Sequence, residues 1–287
     1  MRKRLYLLSA ACVLFLCLAG AYVFLDRWQR TAIFSVELGE SRWWREPPEG
    51  TDVFYIGLDN GDRLQAWYLP AADAGAPTIL YLHGSRWNLN SSVFRIERWA
   101  SMGYGILAVD YRGFGQSTPR LPSQASAVDD AGAALQELAR RQPQADRRFV
   151  YGHSLGGAIA IALAARQGQP EFNGLIVEST FTRIQDMIPQ SKWSRIPGLA
   201  LLITQPFDSL SAIGNIRNPL LILHGTHDRI VPHAMSDALF QASAASSSAL
   251  RELVQIDGGS HSNASSHPEY QAAVRQFIDK AGALARR

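Results

Sequence analysis

Cysteine is almost missing from this sequence. The only two, Cys12 and Cys17, lie in an apolar run near the N-terminus, and none follows. No disulfide can staple the body of the chain, and no thiolate cluster can hold a metal there. Charge is sparse as well: 18% of the 287 residues are charged against 47% hydrophobic, and the formal net charge is +3. Much of that excess sits at the ends, in Arg2, Lys3, Arg4, Arg286 and Arg287. No basic stripe with interleaved aromatics runs between them, so nucleic acid is not an expected partner. Internal repeats and long low-complexity tracts are also lacking. The chain is long enough for one large α/β core with an appendage.

One long hydrophobic run is present, from Leu5 to Leu25, broken only by Tyr6, Ser9 and Tyr22. As a helix it spans about 31 Å, roughly the thickness of a bilayer's hydrocarbon. Arg2, Lys3 and Arg4 precede it, whereas Asp26 mixes with Arg27 and Arg30 after it. The positive-inside bias places the N-terminus in the cytoplasm and the rest of the chain across the membrane. Residues 1–25 are therefore expected to be a single-pass transmembrane signal anchor. Cleavage after Ala21 is the alternative, because Ala19-Gly20-Ala21 has the small-x-small form. A lipid-modified Cys17 fits less well behind the bulky Leu16, and a buried globular helix fits poorly with the terminal position and flanking charge. Residues 26–50 read as a connector, with Trp28, Phe34, Trp43 and Trp44 free to meet the membrane interface or the domain.

From residue 51 onward the pattern alternates. Segments 53–58 and 63–69 read as a hairpin around Asn60-Gly61. Short apolar strands follow at 78–82, 105–111, 148–151, 175–178, 220–224 and 250–256, with helices at 92–102, 123–142, 155–167 and 268–284. This order implies a mainly parallel sheet covered on both faces, with an antiparallel opening edge. Ligands in such sheets bind at the carboxyl ends of the strands. Segment 181–215 is longer than a crossover needs and carries Pro189, Pro197 and Pro206, so it is expected to form a small cap of short helices. The alternative is an ordinary crossover helix with a long loop.

The chemistry centres on Gly152-His153-Ser154-Leu155-Gly156-Gly157, where a strand turns sharply into a helix. Small neighbours two residues either side let the backbone bend and lift the Ser154 hydroxyl above the sheet, at a helix N-terminus that favours negative charge. A nucleophilic serine also needs a base, a group to orient the base and donors for an oxyanion. His261, on the Gly258-Gly259-Ser260-His261 loop, suits the base, and Asp228, after the 220–224 strand, suits the orienting acid. Glu178 is the competing acid, and His267, beside Pro268, is the competing histidine. The oxyanion donors are expected to be the backbone N–H groups of Ser85 and Leu155, with His83 structural. His224, His227 and His233 lie on a turn rather than a rigid face, so no metal is expected.

The chain resembles the α/β-hydrolase superfamily, and within it the membrane-anchored abhydrolase-domain (Bem-type) group. The likeness rests on His83-Gly84, Asp110-Tyr111-Arg112-Gly113-Phe114-Gly115-Gln116-Ser117, the Ser154 elbow, Glu178-Ser179-Thr180-Phe181, His224-Gly225-Thr226-His227-Asp228 and Gly259-Ser260-His261-Ser262-Asn263. It implies an eight-stranded sheet, a Ser-His-Asp triad and no cofactor. In many relatives the His-Gly turn continues Asn-Ala; here it continues Ser85-Arg86-Trp87, a departure that keeps the backbone donor but does not carry over the family's acyl pocket in shape or charge. The expected activity is cleavage of an acyl ester or thioester, from a small-molecule or lipid substrate, by a membrane-anchored serine hydrolase. A peptidase of the same fold and a non-catalytic tethered binding module are the alternatives.

Overall fold

The computed structural model describes residues 2–37, 39–40 and 43–286. The side chains of Arg2, Arg4, Leu5 and Leu7, and all of Arg287, lie outside the described residues.

Eight strands form one sheet: β1 (Asp52–Gly57), β2 (Arg63–Leu69), β3 (Thr78–Leu82), β4 (Gly105–Val109), β5 (Arg148–His153), β6 (Gly174–Glu178), β7 (Leu220–Gly225) and β8 (Arg251–Ile256). Their spatial order is β1-β2-β4-β3-β5-β6-β7-β8. β2 runs antiparallel to both β1 and β4, and every other pairing is parallel. The β1–β2 turn closes as Asn-Gly turns do: Gly61 takes φ +84, and the Asn60 side chain accepts the Asp62 N–H at 3.0 Å.

Every residue of β3 through β7 is buried, which is why these strands read as unbroken apolar runs rather than alternating ones. Successive side chains serve different layers. Leu80, Leu82, Val150 and Val177 join one core with α3 (Gln124–Arg141) and α4 (Leu155–Ala164). Ile79, Tyr81, Tyr151 and Ile176 join the other with α2 (Leu89–Ser101) and α8 (Pro268–Ala285). Helices on both faces of a twisted, mostly parallel sheet leave the strands' carboxyl ends as the open rim.

Between β6 and β7 the chain forms α5 (Ile184–Met187), α6 (Ser209–Ala212) and short 3-10 turns at Ile188–Gln190, Leu199–Leu202 and Ile213–Asn215. The prolines keep each piece short. The remaining helix of the domain, α7 (Ala234–Ala242), follows β7.

The N-terminal helix, α1, runs from Arg2 to Phe34, so the segment read as a connector from residue 26 begins as nine further helical residues. Its apolar window is wholly unburied, and it is long and apolar enough to cross a membrane. Burial begins where hydrophobicity ends. Phe24 is 75% exposed, whereas Gln29 and Phe34 are buried, Phe34 against Phe114 and Phe207 at ring distances of 6.4 and 6.0 Å.

Candidate active site

Ser154 sits between β5 and α4 with φ 54 and ψ −119, a left-handed strain that non-glycine residues rarely accept. The elbow is held by neighbours on both sides. The Ser154 N–H donates to the Glu178 carbonyl at 2.9 Å, and the Thr180 hydroxyl donates to the Ser154 carbonyl at 2.8 Å. The glycines are steric necessities: a Cβ on Gly156 would lie 2.2 Å from the Leu82 carbonyl oxygen, and one on Gly152 2.2 Å from that of Gly156. This close approach seats the N-terminus of α4 against the end of β3. Leu155 is the first residue of α4, so its N–H has no acceptor within the helix.

At the end of β3, Gly84 packs on the elbow; a Cβ there would be 3.3 Å from the Ser154 Cβ. The Ser85 N–H has no acceptor among the described residues. Arg86 next to it takes φ 74, and two backbone bonds to the end of α1 secure the turn: Arg86 N–H to the Phe34 carbonyl at 2.8 Å and Glu37 N–H to the Arg86 carbonyl at 3.1 Å. His83 is buried beneath, 3.3 Å from Asp110 and packed on Tyr111 and Phe114. It occupies a structural position, as its place in the sequence suggests.

The loops after β7 and β8 interlock. The His227 N–H donates to the Gly259 carbonyl at 2.9 Å, and a Cβ on Gly225 would collide with the Gly259 backbone. This brings Asp228 and His261 together, with His261 Nδ1 2.8 Å from Asp228 Oδ2. Asp228 Oδ1 accepts the Ile230 and Val231 N–H groups at 2.8 and 2.9 Å, and His224 Nε2 lies 3.3 Å from Oδ2. Burial pulls the Asp228 carboxyl up, but the hydrogen bonds from His224, His261 and Val231 outweigh it and hold the group far below the usual carboxylate range. His261 in turn lies against the elbow: its ring is 4.8 Å from that of His153, and its carbonyl is 2.9 Å from His153 Nε2. His227 is exposed, and His267 precedes α8 at the surface without joining this group. Among the described residues no group of His, Cys, Asp and Glu side chains is arranged to hold a metal ion.

Glu178 is engaged elsewhere. It is fully buried, and its carboxylate accepts from Arg95 at 3.0 Å, Tyr151 at 2.5 Å and Tyr270 at 2.8 Å. Arg95 is the residue that the motifs do not reveal. It reaches from α2 to Glu178, to His153 Nε2 at 3.0 Å and to the carbonyls of His261 and Ser262 at 3.1 and 3.3 Å. Burial works against its charge, but Glu178 and the neighbouring tyrosines keep it protonated. The signal in the sequence is periodic: Arg95 falls on the same helical face as Ser92, Ile96 and Trp99, all buried.

His153 is held well below its ordinary pKa, first by burial and then by Arg95 and His261, so the folded protein keeps it neutral. The unfolded chain binds a proton there below about pH 6.5. The stability that His153 confers is therefore complete above that pH and declines beneath it. Asp228, also depressed, adds a second decline only below about pH 3.9. Thermal melts are expected to hold level from pH 8 to about 7 and then fall toward pH 5. His153→Asn should flatten that upper slope and leave the acid limb; an unchanged slope would remove His153 from the account.

Comparison with known proteins places this geometry in a family. The family described as serine aminopeptidase, S33, matches residues 75–211. The α/β-hydrolase domain-containing protein WAV2 of Arabidopsis thaliana is 30% identical over 242 residues, 79% of this chain and 78% of its own. Protein Bem46 of Schizosaccharomyces pombe is 35% identical over 168 residues, 57% of this chain and 55% of its own. The lysophosphatidylserine lipase ABHD12 of Rattus norvegicus is 29% identical over 262 residues, 84% of this chain and 62% of its own. Among solved structures, an esterase of Pyrococcus furiosus superposes with a TM-score of 0.68 at 18% identity, covering 85% of this chain and 97% of that one. With a fold of eight mostly parallel strands, an elbow after β5 and a relative of this identity along most of its length, the chain belongs to the α/β hydrolases, in the group that includes Bem46 and the abhydrolase-domain proteins.

Proposed function

We propose that the protein is a membrane-anchored serine hydrolase that cleaves acyl esters or thioesters through an acyl-enzyme. The observation that carries this reading is the Asp228–His261 hydrogen bond of 2.8 Å beside a serine strained to φ 54. In the proposed reaction His261 accepts the Ser154 proton as the hydroxyl oxygen attacks the carbonyl carbon. Asp228 holds the imidazole with Nδ1–H toward itself, leaving Nε2 free, and stabilises the imidazolium. The N–H groups of Ser85 and Leu155 receive the oxyanion, each contributing on the order of a hundred- to a thousandfold in rate. The imidazolium then protonates the leaving alcohol or thiol, and water repeats the sequence to release the acid.

An ester is favoured over a peptide on two grounds. An aminopeptidase needs an anion for the substrate's amino terminus, and the carboxylates beside the elbow, Asp228 and Glu178, are already committed. The lipase named among the relatives acts on a lysophospholipid. The anchor is α1, with its N-terminus cytoplasmic and the catalytic domain on the outer side, following the charge of its flanks; a reporter after Arg287 active only in the cytoplasm would reverse that orientation.

Acyl esters of graded chain length, assayed beside aminoacyl amides, test the reaction. Hydrolysis of the esters at rates well above the amides is the expected result. Cleavage of amides alone would favour the peptidase reading, and cleavage of neither would leave a binding module.

A further inference from the structure

The helix α1 and the cap are joined at one level. Gln29 Nε2 donates to the Leu202 carbonyl at 2.7 Å, and the Thr204 N–H donates to Gln29 Oε1 at 2.8 Å. Gln205 Nε2 donates to Asp26 Oδ1 at 2.8 Å, and the rings of Trp28 and Trp193 meet edge to face at 4.8 Å. Asp26 is the first residue after the apolar run, and Gln29 lies only about 4.5 Å further along the helix axis. If the apolar run of α1 spans a bilayer, these contacts hold the cap segment near the level where hydrocarbon gives way to headgroups.

Apolar side chains stand bare at that depth. Leu201 is 89% exposed, Leu202 56% and Ile196 44%. Lys192 and Arg195 on the same cap segment and Arg27 on α1 are exposed as well. Three large aliphatic groups with a basic fringe, beside the end of an unburied apolar helix, match the face of an interfacial segment. The helix gives the patch one occupant, because wherever α1 enters a bilayer, the tip of the cap enters its surface.

We infer that Ile196, Leu201 and Leu202 seat the cap in the outer leaflet as a second membrane contact, so that the site takes acyl esters dwelling in the bilayer. This rests on the reading of α1 as a membrane anchor. The far end of the same helix packs Phe34 on Phe207 of the cap segment and accepts the Arg86 N–H beside Ser85, so one helix joins the cap segment to the proposed oxyanion turn.

The test uses the full chain, with Cys12→Ala and Cys17→Ala, reconstituted into phosphatidylcholine–phosphatidylglycerol nanodiscs. An environment-sensitive dye is placed at Leu201→Cys or, as a control, at Arg140→Cys, on the last turn of α3 at the opposite end of the sheet. Lipids bearing a nitroxide near the headgroup should quench the dye at 201 several-fold more than at 140. Equal quenching at the two positions, in protein that resists alkaline extraction, overturns the cap contact while leaving the anchor in place. Release of the protein by alkaline extraction overturns the anchor itself. As a second measurement, Leu201→Asp with Leu202→Asp should slow hydrolysis of a vesicle-borne acyl ester about tenfold relative to a dissolved short-chain ester. An unchanged ratio contradicts the inference.

Discussion

Alanine at position 261 is expected to lower kcat by about five to six orders of magnitude, and Asp228→Asn by about four. The two losses differ in cause. In the proposed mechanism, loss of the imidazole removes the group that accepts the serine proton. With asparagine at 228, Oδ1 can still take the Ile230 and Val231 N–H groups, but an amide N–H then faces His261 Nδ1 where the carboxylate accepted at 2.8 Å. The imidazole is pushed into the tautomer that presents N–H, not a lone pair, toward the serine. The double variant should be no slower than His261→Ala alone, since the groups act as one unit. Steady-state kinetics on an acyl ester, with circular dichroism to confirm folding, check both. A loss under tenfold at either position would remove that residue from the machinery.

Arg95→Ala should produce the largest loss of stability, about 3–5 kcal/mol or roughly 10 °C in Tm. Its removal leaves Glu178 wholly buried with only the Tyr151 and Tyr270 hydroxyls for company. It also frees the carbonyls of His261 and Ser262, which Arg95 holds at 3.1 and 3.3 Å. Arg95 is thus a positioning residue for the proposed base, and the two effects can be separated. In Arg95→Met with Glu178→Leu no charge is left unpaired, so stability should largely return. The His261 loop remains unpinned in that variant, so kcat should stay down by about ten- to a hundredfold with KM little changed. Recovery of kcat together with Tm would reduce Arg95 to a purely structural role.

The parallel sheet was legible because β3 to β7 are buried on both faces and therefore lack polar interruptions. The elbow was legible because the Ser154 turn tolerates only glycine at 152 and 156, and steric demands of that kind leave a local mark. The sequence ranked Asp228 above Glu178 as the orienting acid, but what engages Glu178 instead was not legible. Glu178 ends a buried strand and Asp228 follows one, and what separates them is a guanidinium that arrives from 83 positions away in the chain. Arg95 itself carries no motif; an arginine on a buried helical face is visible only once the face is known. The length of α1 was hidden for a different reason. Hydropathy marks where an apolar run stops, whereas a helix continues through Asp26–Phe34 because no proline or glycine interrupts it and Gln29 and Phe34 find partners on the domain.

The tie between α1 and the domain also bears on how the protein should be handled. The Ser85–Arg86 turn takes two of its backbone bonds from Phe34 and Glu37. The end of the helix is therefore part of the wall around the proposed oxyanion donors, and the chain is best studied with its helix in place.

The central claim is that Ser154 is a nucleophile activated by His261. The most direct measurement is to treat the full chain with a fluorophosphonate and map the adduct by peptide mass spectrometry. The account predicts one stoichiometric adduct on Ser154, absent from Ser154→Ala and formed orders of magnitude more slowly in His261→Ala. No adduct on the wild-type protein, or equal labelling of Ser154→Ala, would contradict it.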